Sequence, residues 1–200
     1  MRLILLEFFP SNSNHTAFSD VSTIAGLNPL GSHGPAYYRR YPEAYRLFRP
    51  DCRSPNFGDC TNDEISNAYD NTIVYTDHVV SSAVDVLSAY SGIVDSSLIY
   101  VSDYSESLGE YNVYLHGMPY RFAPDKQIKV PIVTWLSDGT VKNQRMDRNC
   151  EASLNPLSIS HDNFFHTELG LMEIKSALYN PAMGIFSSCR ADAERSAAGA

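Results

Sequence analysis

Apolar and polar positions change rhythm several times along the chain, and each change marks a candidate element. From Ile65 through Ala68, Thr72, Val79, Val80, Ala83 and Leu87, apolar or small residues recur every three or four positions until Gly92. That is the period of one face of an α-helix. TNDE, residues 61–64, places Thr61 as N-cap and Glu64 three residues on, the form of a capping box. A long helix over 61–91 is predicted. SSLIYVSD, residues 96–103, is a short apolar run between polar residues, which predicts a buried strand with 97–102 interior to a sheet. KVPIVTWLS, residues 129–137, reads as a second strand, and Pro131, having no N–H to donate, puts it near an edge or a strand start. RLILL, residues 2–6, reads as a short buried strand. Residues 10–30, rich in Ser, Asn, Thr and Pro without a sustained period, read as loop. Residues 160–175, SHDNFFHTELGLMEIK, predict a helix capped by Ser160 with an apolar face through Phe164, Phe165, Leu169 and Met172. Strands alternating with helices point to an α/β layer fold.

Composition narrows the function classes. A chain of 200 residues with 44% apolar and 12% aromatic residues can bury a sizeable core as one domain. A net charge of -8 speaks against a nucleic-acid partner, which needs a concentrated basic surface. The one basic cluster, Arg39, Arg40, Arg46, Arg49 and Arg53, reads as a solvated face, with local attraction of phosphate as the alternative. No apolar run approaches the ~18 to 20 residues that cross a bilayer. MRLILLEFF is interrupted by Glu7, so no clear signal or membrane anchor is expected. The Ala/Ser-rich end, residues 191–200, reads as a flexible tail. Cys52, Cys60, Cys150 and Cys189 form no CxxC pair. Cys52 and Cys60 bracket the turn-rich PNFGD, which a short disulfide would close, and an oxidising compartment would follow; four buried free thiols are the alternative.

Candidate chemistry gathers after the 96–103 strand. In α/β sheets ligands collect outside the carboxyl ends of strands, and Asp103 stands at such an end. A carboxylate there needs a metal, a helix N-terminus or hydrogen bonds to offset its burial; capping of the following loop is the structural reading. His33 in GSHGP and His116 in YLHG sit beside glycines, which permit close backbone approach to a ligand, although a single loop histidine is more often merely solvated. There is no GxSxG elbow, GxGxxG or Walker A loop, so serine-nucleophile chemistry and a nucleotide cofactor are unsupported.

Five ordered stretches carry a resemblance: GSHGPAYYRRYPEAYRLFRPDC, YDNTIVYTDHVV, SDYSESLGEYNVYLHGMPYRFAP, VPIVTWLS and SHDNFFHTELGLM. Across residues 31–190 the chain resembles the carboxyl-terminal part of the lipid A phosphoethanolamine transferases, the group that includes the mobile colistin (polymyxin) resistance enzymes. Residues 1–30 have no counterpart in that pattern. The resemblance implies a three-layer α/β/α sheet of the sulfatase and alkaline-phosphatase type, here incomplete, in an expected monomer. It implies a zinc-dependent enzyme at the periplasmic face of the inner membrane, moving phosphoethanolamine from phosphatidylethanolamine to a lipid A phosphate through a phosphorylated threonine. It also implies the disulfides Cys52–Cys60 and Cys150–Cys189. Asp103 would match a zinc ligand, and His33 and His116 the histidines that contact a second zinc or the transferred phosphate, with Glu106 and Glu110 on the same loop.

Two departures stand against that pattern. Where the family has SDHGESLGE, this chain has SDYSESLGE, so Tyr104 replaces a ligating histidine and Ser105 a glycine. A phenol with a reference pKa of about 10 is a poor neutral-pH ligand beside imidazole. No nucleophilic threonine is identifiable, because Thr16 and Thr23 lack the surrounding pattern. The expectation is a weakly active or inactive relative. A non-catalytic module binding lipid phosphate headgroups and a soluble metal-dependent phosphatase or sulfatase-like hydrolase are the alternatives.

Overall fold

The structure, a computed structural model, describes residues 2–10, 23–154 and 159–191. Strands β1 (Arg2–Pro10), β2 (Thr23–Leu27), β3 (Val94–Ser102) and β6 (Ile132–Leu136) form one sheet in the order β2-β1-β3-β6. Two further short strands, β4 (Ser107–Leu108) and β5 (Tyr114–Leu115), pair antiparallel, Ser107 opposite Leu115 and Leu108 opposite Tyr114. The helices are α1 (Asn62–Ala89), α2 (Asp125–Ile128), α3 (Asp138–Asn143), α4 (Arg148–Ser153) and α5 (His161–Leu171). Mixed strands and helices make this an α/β fold.

The long helix forms where its period predicts. Thr61 N–H and hydroxyl both donate to Glu64 Oε2, at 2.8 and 3.0 Å, and Glu64 N–H donates back to Thr61 Oγ1 at 3.2 Å. That reciprocal pair satisfies amides the first turn leaves without partners. Ile65, Ala68, Thr72, Val80 and Leu87 are buried on one face of α1, and so is Asn71. Asn71 Oδ1 accepts from the Leu47 and Phe48 amides, each at 2.8 Å, and Nδ2 donates to Phe48 O at 2.9 Å. A polar side chain in an apolar stripe thus fastens a neighbouring loop to the helix. β3 is buried from Asp95 to Ser102 and lies between β1 and β6, the interior position expected of 97–102.

Three expectations are corrected. Within the stretch read as loop, residues 23–27 form β2, whose side chains are mostly exposed; backbone pairing makes this strand, so its side-chain pattern carries no signal. Residues 11–22, with Thr16, lie outside the described residues, as does all but the first of the expected tail. The 129–137 strand is trimmed to Ile132–Leu136, because Lys129 N–H closes α2 on Asp125 O and Ser137 serves as N-cap of α3. In α5 the deeply buried residues are Thr167, Gly170 and Leu171, while Phe165 is exposed. Ser160 caps it with Asn163 in a capping box, and Met172 and Ile174 amides close it on Glu168 and Leu169 carbonyls.

The chain divides into two compact units, one mainly Ile24–Ala89 with Ser97–Trp135, the other mainly Tyr90–Ser96 with the residues from Leu136 on. In the first, Tyr37, Cys52, Ile65 and Ala68 form a buried cluster, with Phe57, Tyr69, Leu108, Tyr114 and Leu115 packed against it. Cys52 and Cys60 are bonded, their Cα atoms 5.7 Å apart. In the second, Ser137 Oγ accepts from the Ser96 and Thr140 amides, both at 3.1 Å, and Cys150 is bonded to Cys189. Gly139 there abuts Asp95, whose Oδ1 would lie 1.5 Å from any Cβ at that position.

Candidate functional site

Two loops of the first unit meet beside its buried cluster. The earlier one, residues 31–41, carries His33. The later one leaves the end of β3 and carries Asp103, Tyr104, Glu106 and, after β5, His116. Local chemistry shapes the later loop: Ser102 Oγ donates to Tyr104 O at 2.6 Å as the strand ends, and Leu108 N–H donates to Glu110 Oε2 at 2.8 Å. Buried Gln127 of α2 holds it from beneath, donating to Ser107 Oγ at 3.1 Å and accepting from Ser105 N–H on its backbone oxygen at 3.2 Å. Leu115, with φ of 63°, and Gly117, with φ of 105°, flank His116. A left-handed leucine costs roughly 1–2 kcal/mol, so the surrounding bonds must hold this turn in place.

The rings converge. His33 and His116 have centroids 5.3 Å apart, edge to face. Tyr104 stacks on His116 at 3.7 Å with an interplanar angle of 23°, and lies 6.0 Å from His33. Asp103 is exposed beyond the end of β3, next in sequence to Tyr104. His33 Nδ1 donates to Gly34 O at 2.6 Å, and His116 Nδ1 donates to Glu106 Oε1 at 3.2 Å. Each imidazole therefore has its δ nitrogen engaged and its ε nitrogen left for chemistry.

Glu106 is the buried charge of this site, 5% exposed. Besides His116 it accepts from the Gly34 amide at 3.0 Å and from the Tyr37 hydroxyl. Burial, then the neighbouring Glu106 carboxylate, pushes the Tyr37 hydroxyl far above its ordinary pKa, so it remains a donor. Gly34 is closely enclosed here: a Cβ would lie 2.5 Å from Leu115 Cδ2 and 3.0 Å from both Glu106 Oε2 and Tyr37 Cζ, so those side chains would have to shift. The sequence puts Glu106 on this loop without marking its role, and nothing local marks Tyr37 or Gln127, whose partners are distant in sequence.

The basic cluster is occupied rather than open. Glu43 pairs with Arg46, Arg49 and Arg53 at 3.2, 3.1 and 3.6 Å, and buried Asp51 pairs with Arg46. Arg40 Nε donates to His33 O at 3.0 Å, tying that guanidinium to the site loop.

Zinc is the group the resemblance implies, and the residues do not fit a three-ligand centre. Among the described residues no group of three or more His, Cys, Asp or Glu side chains is placed to hold a metal ion. Tyr104 spends its ring on stacking against His116.

A family model described as sulfatase matches residues 20–174. The chain belongs to the sulfatase family. Within that family it is 42% identical over 165 residues to phosphoethanolamine transferase EptA of Escherichia coli K12, covering 82% of this chain and 30% of that protein. It is 43% identical over 114 residues to the phosphatidylethanolamine transferase Mcr-1 of Escherichia coli, covering 57% of this chain and 21% of Mcr-1. The crystal structure of the soluble domain of lipooligosaccharide phosphoethanolamine transferase A from Neisseria meningitidis superposes with a TM-score of 0.77 at 39% identity, over 80% of this chain and 48% of that one. The chain thus spans about a third of the length of the curated relatives it matches along most of its sequence. Among the described residues no helix is long and apolar enough to cross a membrane.

Proposed function

We propose that this sulfatase-family chain carries the headgroup-binding side of a phosphoethanolamine transferase site, and that by itself it binds phosphoethanolamine without transferring it. The observation that carries this reading is the pair His33 and His116, 5.3 Å apart with both δ nitrogens engaged. When an anionic phosphate arrives, a proton taken up at either ε nitrogen makes a charge-assisted N–H···O bond to it. Tyr104, stacked on His116, supplies an aromatic wall instead of a metal ligand. Transfer through a covalent intermediate needs an activated nucleophile, and the residues around Thr23, which is exposed at the start of β2, lack the pattern of the family's threonine. The transfer that such a site serves would take phosphatidylethanolamine as donor and a lipid A phosphate as acceptor, in keeping with relatives named phosphatidylethanolamine transferase Mcr-1 and Kdo(2)-lipid A phosphoethanolamine 7''-transferase. Two disulfides suit an oxidising compartment, which for this role is the periplasm at the inner membrane.

The test is titration of the purified chain with O-phosphoethanolamine, followed by histidine NMR shifts, beside an assay for label transfer from phosphatidylethanolamine vesicles to lipid A. Saturable shifts at His33 and His116, lost in His33→Ala and His116→Ala, with no transfer, are expected. Absence of binding by the unmodified chain, or robust transfer by it, would overturn the proposal.

A further inference from the structure

We infer that Glu106 is the positioning residue of this site, setting the place of the His33 turn and the tautomer and direction of His116. The inference takes its ligand from the proposed function, but the arrangement itself stands on the geometry. Oε1 of Glu106 accepts at once from the Gly34 amide at 3.0 Å and from His116 Nδ1 at 3.2 Å, so one oxygen joins the two loops. The same glycine whose N–H is held by Glu106 also offers, through its carbonyl, the acceptor for His33 Nδ1 at 2.6 Å. The grip on His33 therefore passes through a single glycine, at a point where a Cβ would press on Leu115, Glu106 and Tyr37. Oε2 takes the Tyr37 hydroxyl, which anchors the carboxylate to the buried cluster of Tyr37, Cys52, Ile65 and Ala68.

A carboxylate can only accept, so a neutral His116 bonded to it must carry its proton on Nδ1 and present a lone pair at Nε2. The Tyr104 ring covers one face of that imidazole at 3.7 Å, and His33 meets it at 5.3 Å. Bond and stack together leave His116 one orientation. A buried carboxylate needs hydrogen-bonded partners to be tolerated, and among the described residues those of Glu106 are a site histidine, the amide next to the other one, and the tyrosine that roots it. Glu106 touches no ligand in this scheme and acts through the imidazoles.

The experiment reads the His116 tautomer from its ring 15N shifts at mildly alkaline pH, where imidazole is neutral, in the full chain, Glu106→Ala and Glu106→Gln. The unmodified chain should show the Nδ1–H form. Glu106→Ala should move His116 to the Nε2–H form and weaken O-phosphoethanolamine binding about 10-fold or more, the scale on which lost supporting partners act. Glu106→Gln, which keeps an acceptor oxygen, should retain the Nδ1–H form and lose less affinity. An Nε2–H tautomer in the unmodified chain, or an unchanged tautomer and affinity in Glu106→Ala, would overturn the inference; the first readout stands even if Glu106→Ala does not fold. Failure of the unmodified chain to bind O-phosphoethanolamine would instead overturn the proposed function, while the tautomer still decides the role of Glu106.

Discussion

Asp51 and Glu106 are both buried carboxylates that accept a hydrogen bond from a tyrosine, and those tyrosines, Tyr41 and Tyr37, lie four residues apart on one segment. What balances their charge differs. Asp51 is met by the Arg46 guanidinium, with Nε at 2.6 Å, and Arg53 stands at 3.8 Å. Among the described residues no guanidinium is paired with Glu106, which meets the His116 imidazole instead. Arginine stays charged at any pH a protein survives, so Asp51 is closed off as scaffold. An imidazole bonded through Nδ1 still has Nε2 to offer a ligand, so Glu106 is coupled to whatever His116 meets. The pairing partner separates structural acid from site acid here, since both are buried and both hold a tyrosine.

The largest effect should come from Asp51→Ala. Removing this buried carboxylate takes the acceptor from the Tyr41 hydroxyl and leaves Arg46 with Glu43 alone, at a cost of about 3 kcal/mol for hydrogen bonds to a buried charge, read by urea unfolding, with O-phosphoethanolamine affinity unchanged. A loss of binding equal to that in Glu106→Ala would erase the contrast. The effect is pH-dependent with a definite sign. Burial alone would raise the Asp51 carboxyl, but the Arg46 and Tyr41 hydrogen bonds outweigh it and hold it below the usual carboxylate range. Its contribution is therefore present above the unfolded-state value near 3.9 and is lost as pH falls through the lower folded value. The gap between the unmodified chain and Asp51→Ala should close in acid. Burial and the bond to Asp51 push the Tyr41 hydroxyl up to about 12, so it remains a donor throughout.

Opening the Cys52–Cys60 bond, whose ends are 8 residues apart, should cost about 2.5 kcal/mol by loop-closure entropy. The loss should appear in the melting temperature of Cys52→Ser/Cys60→Ser and spare the His116 tautomer, because neither cysteine takes part in the Glu106–His116 hydrogen bond. Gly34→Ala should cost about 2 kcal/mol through overpacking against Leu115 and Tyr37. Unlike the scaffold changes, it should also lower affinity, since the carbonyl of the same residue holds His33. A stable Gly34→Ala chain with full affinity would show that the site tolerates a shifted loop. The smallest expected effect is that of Tyr37→Phe, about 1 kcal/mol for one lost hydrogen bond, measured by thermal unfolding.

The sequence made some of this architecture readable and hid the rest for physical reasons. Helix α1 and strand β3 were legible because burial imposes a period on side chains, and Thr61 with Glu64 marked the helix start by local bonds alone. β2 was not, because its outward side chains leave no period. The face of α5 was misassigned because Gly170 packs there as an absence, with Tyr179 Oη only 2.8 Å from where a Cβ would stand. In the site, His33 and His116 were visible as histidines beside glycines. Glu106 was not distinguishable from Glu110 on the same loop, because what sets it apart is burial against partners 69 and 72 residues earlier. Tyr104 could be recognised as a departure in the ligand pattern, but its stacking on His116 depends on a turn that no local rule specifies.

Those separations also bear on the order in which the chain acquires its structure. The contacts of Asp51 to Arg46 and Tyr41 close loops of 5 and 10 residues, whereas those of Glu106 to Tyr37 and Gly34 close loops of 69 and 72. Short closures sacrifice less chain entropy and can precede the rest, while distant ones wait until intervening elements have brought their ends together. The segment around Asp51 should therefore be structured while the histidine turn is still mobile, with the Gly34 amide gaining protection from hydrogen exchange only after α1 and β3 are in place.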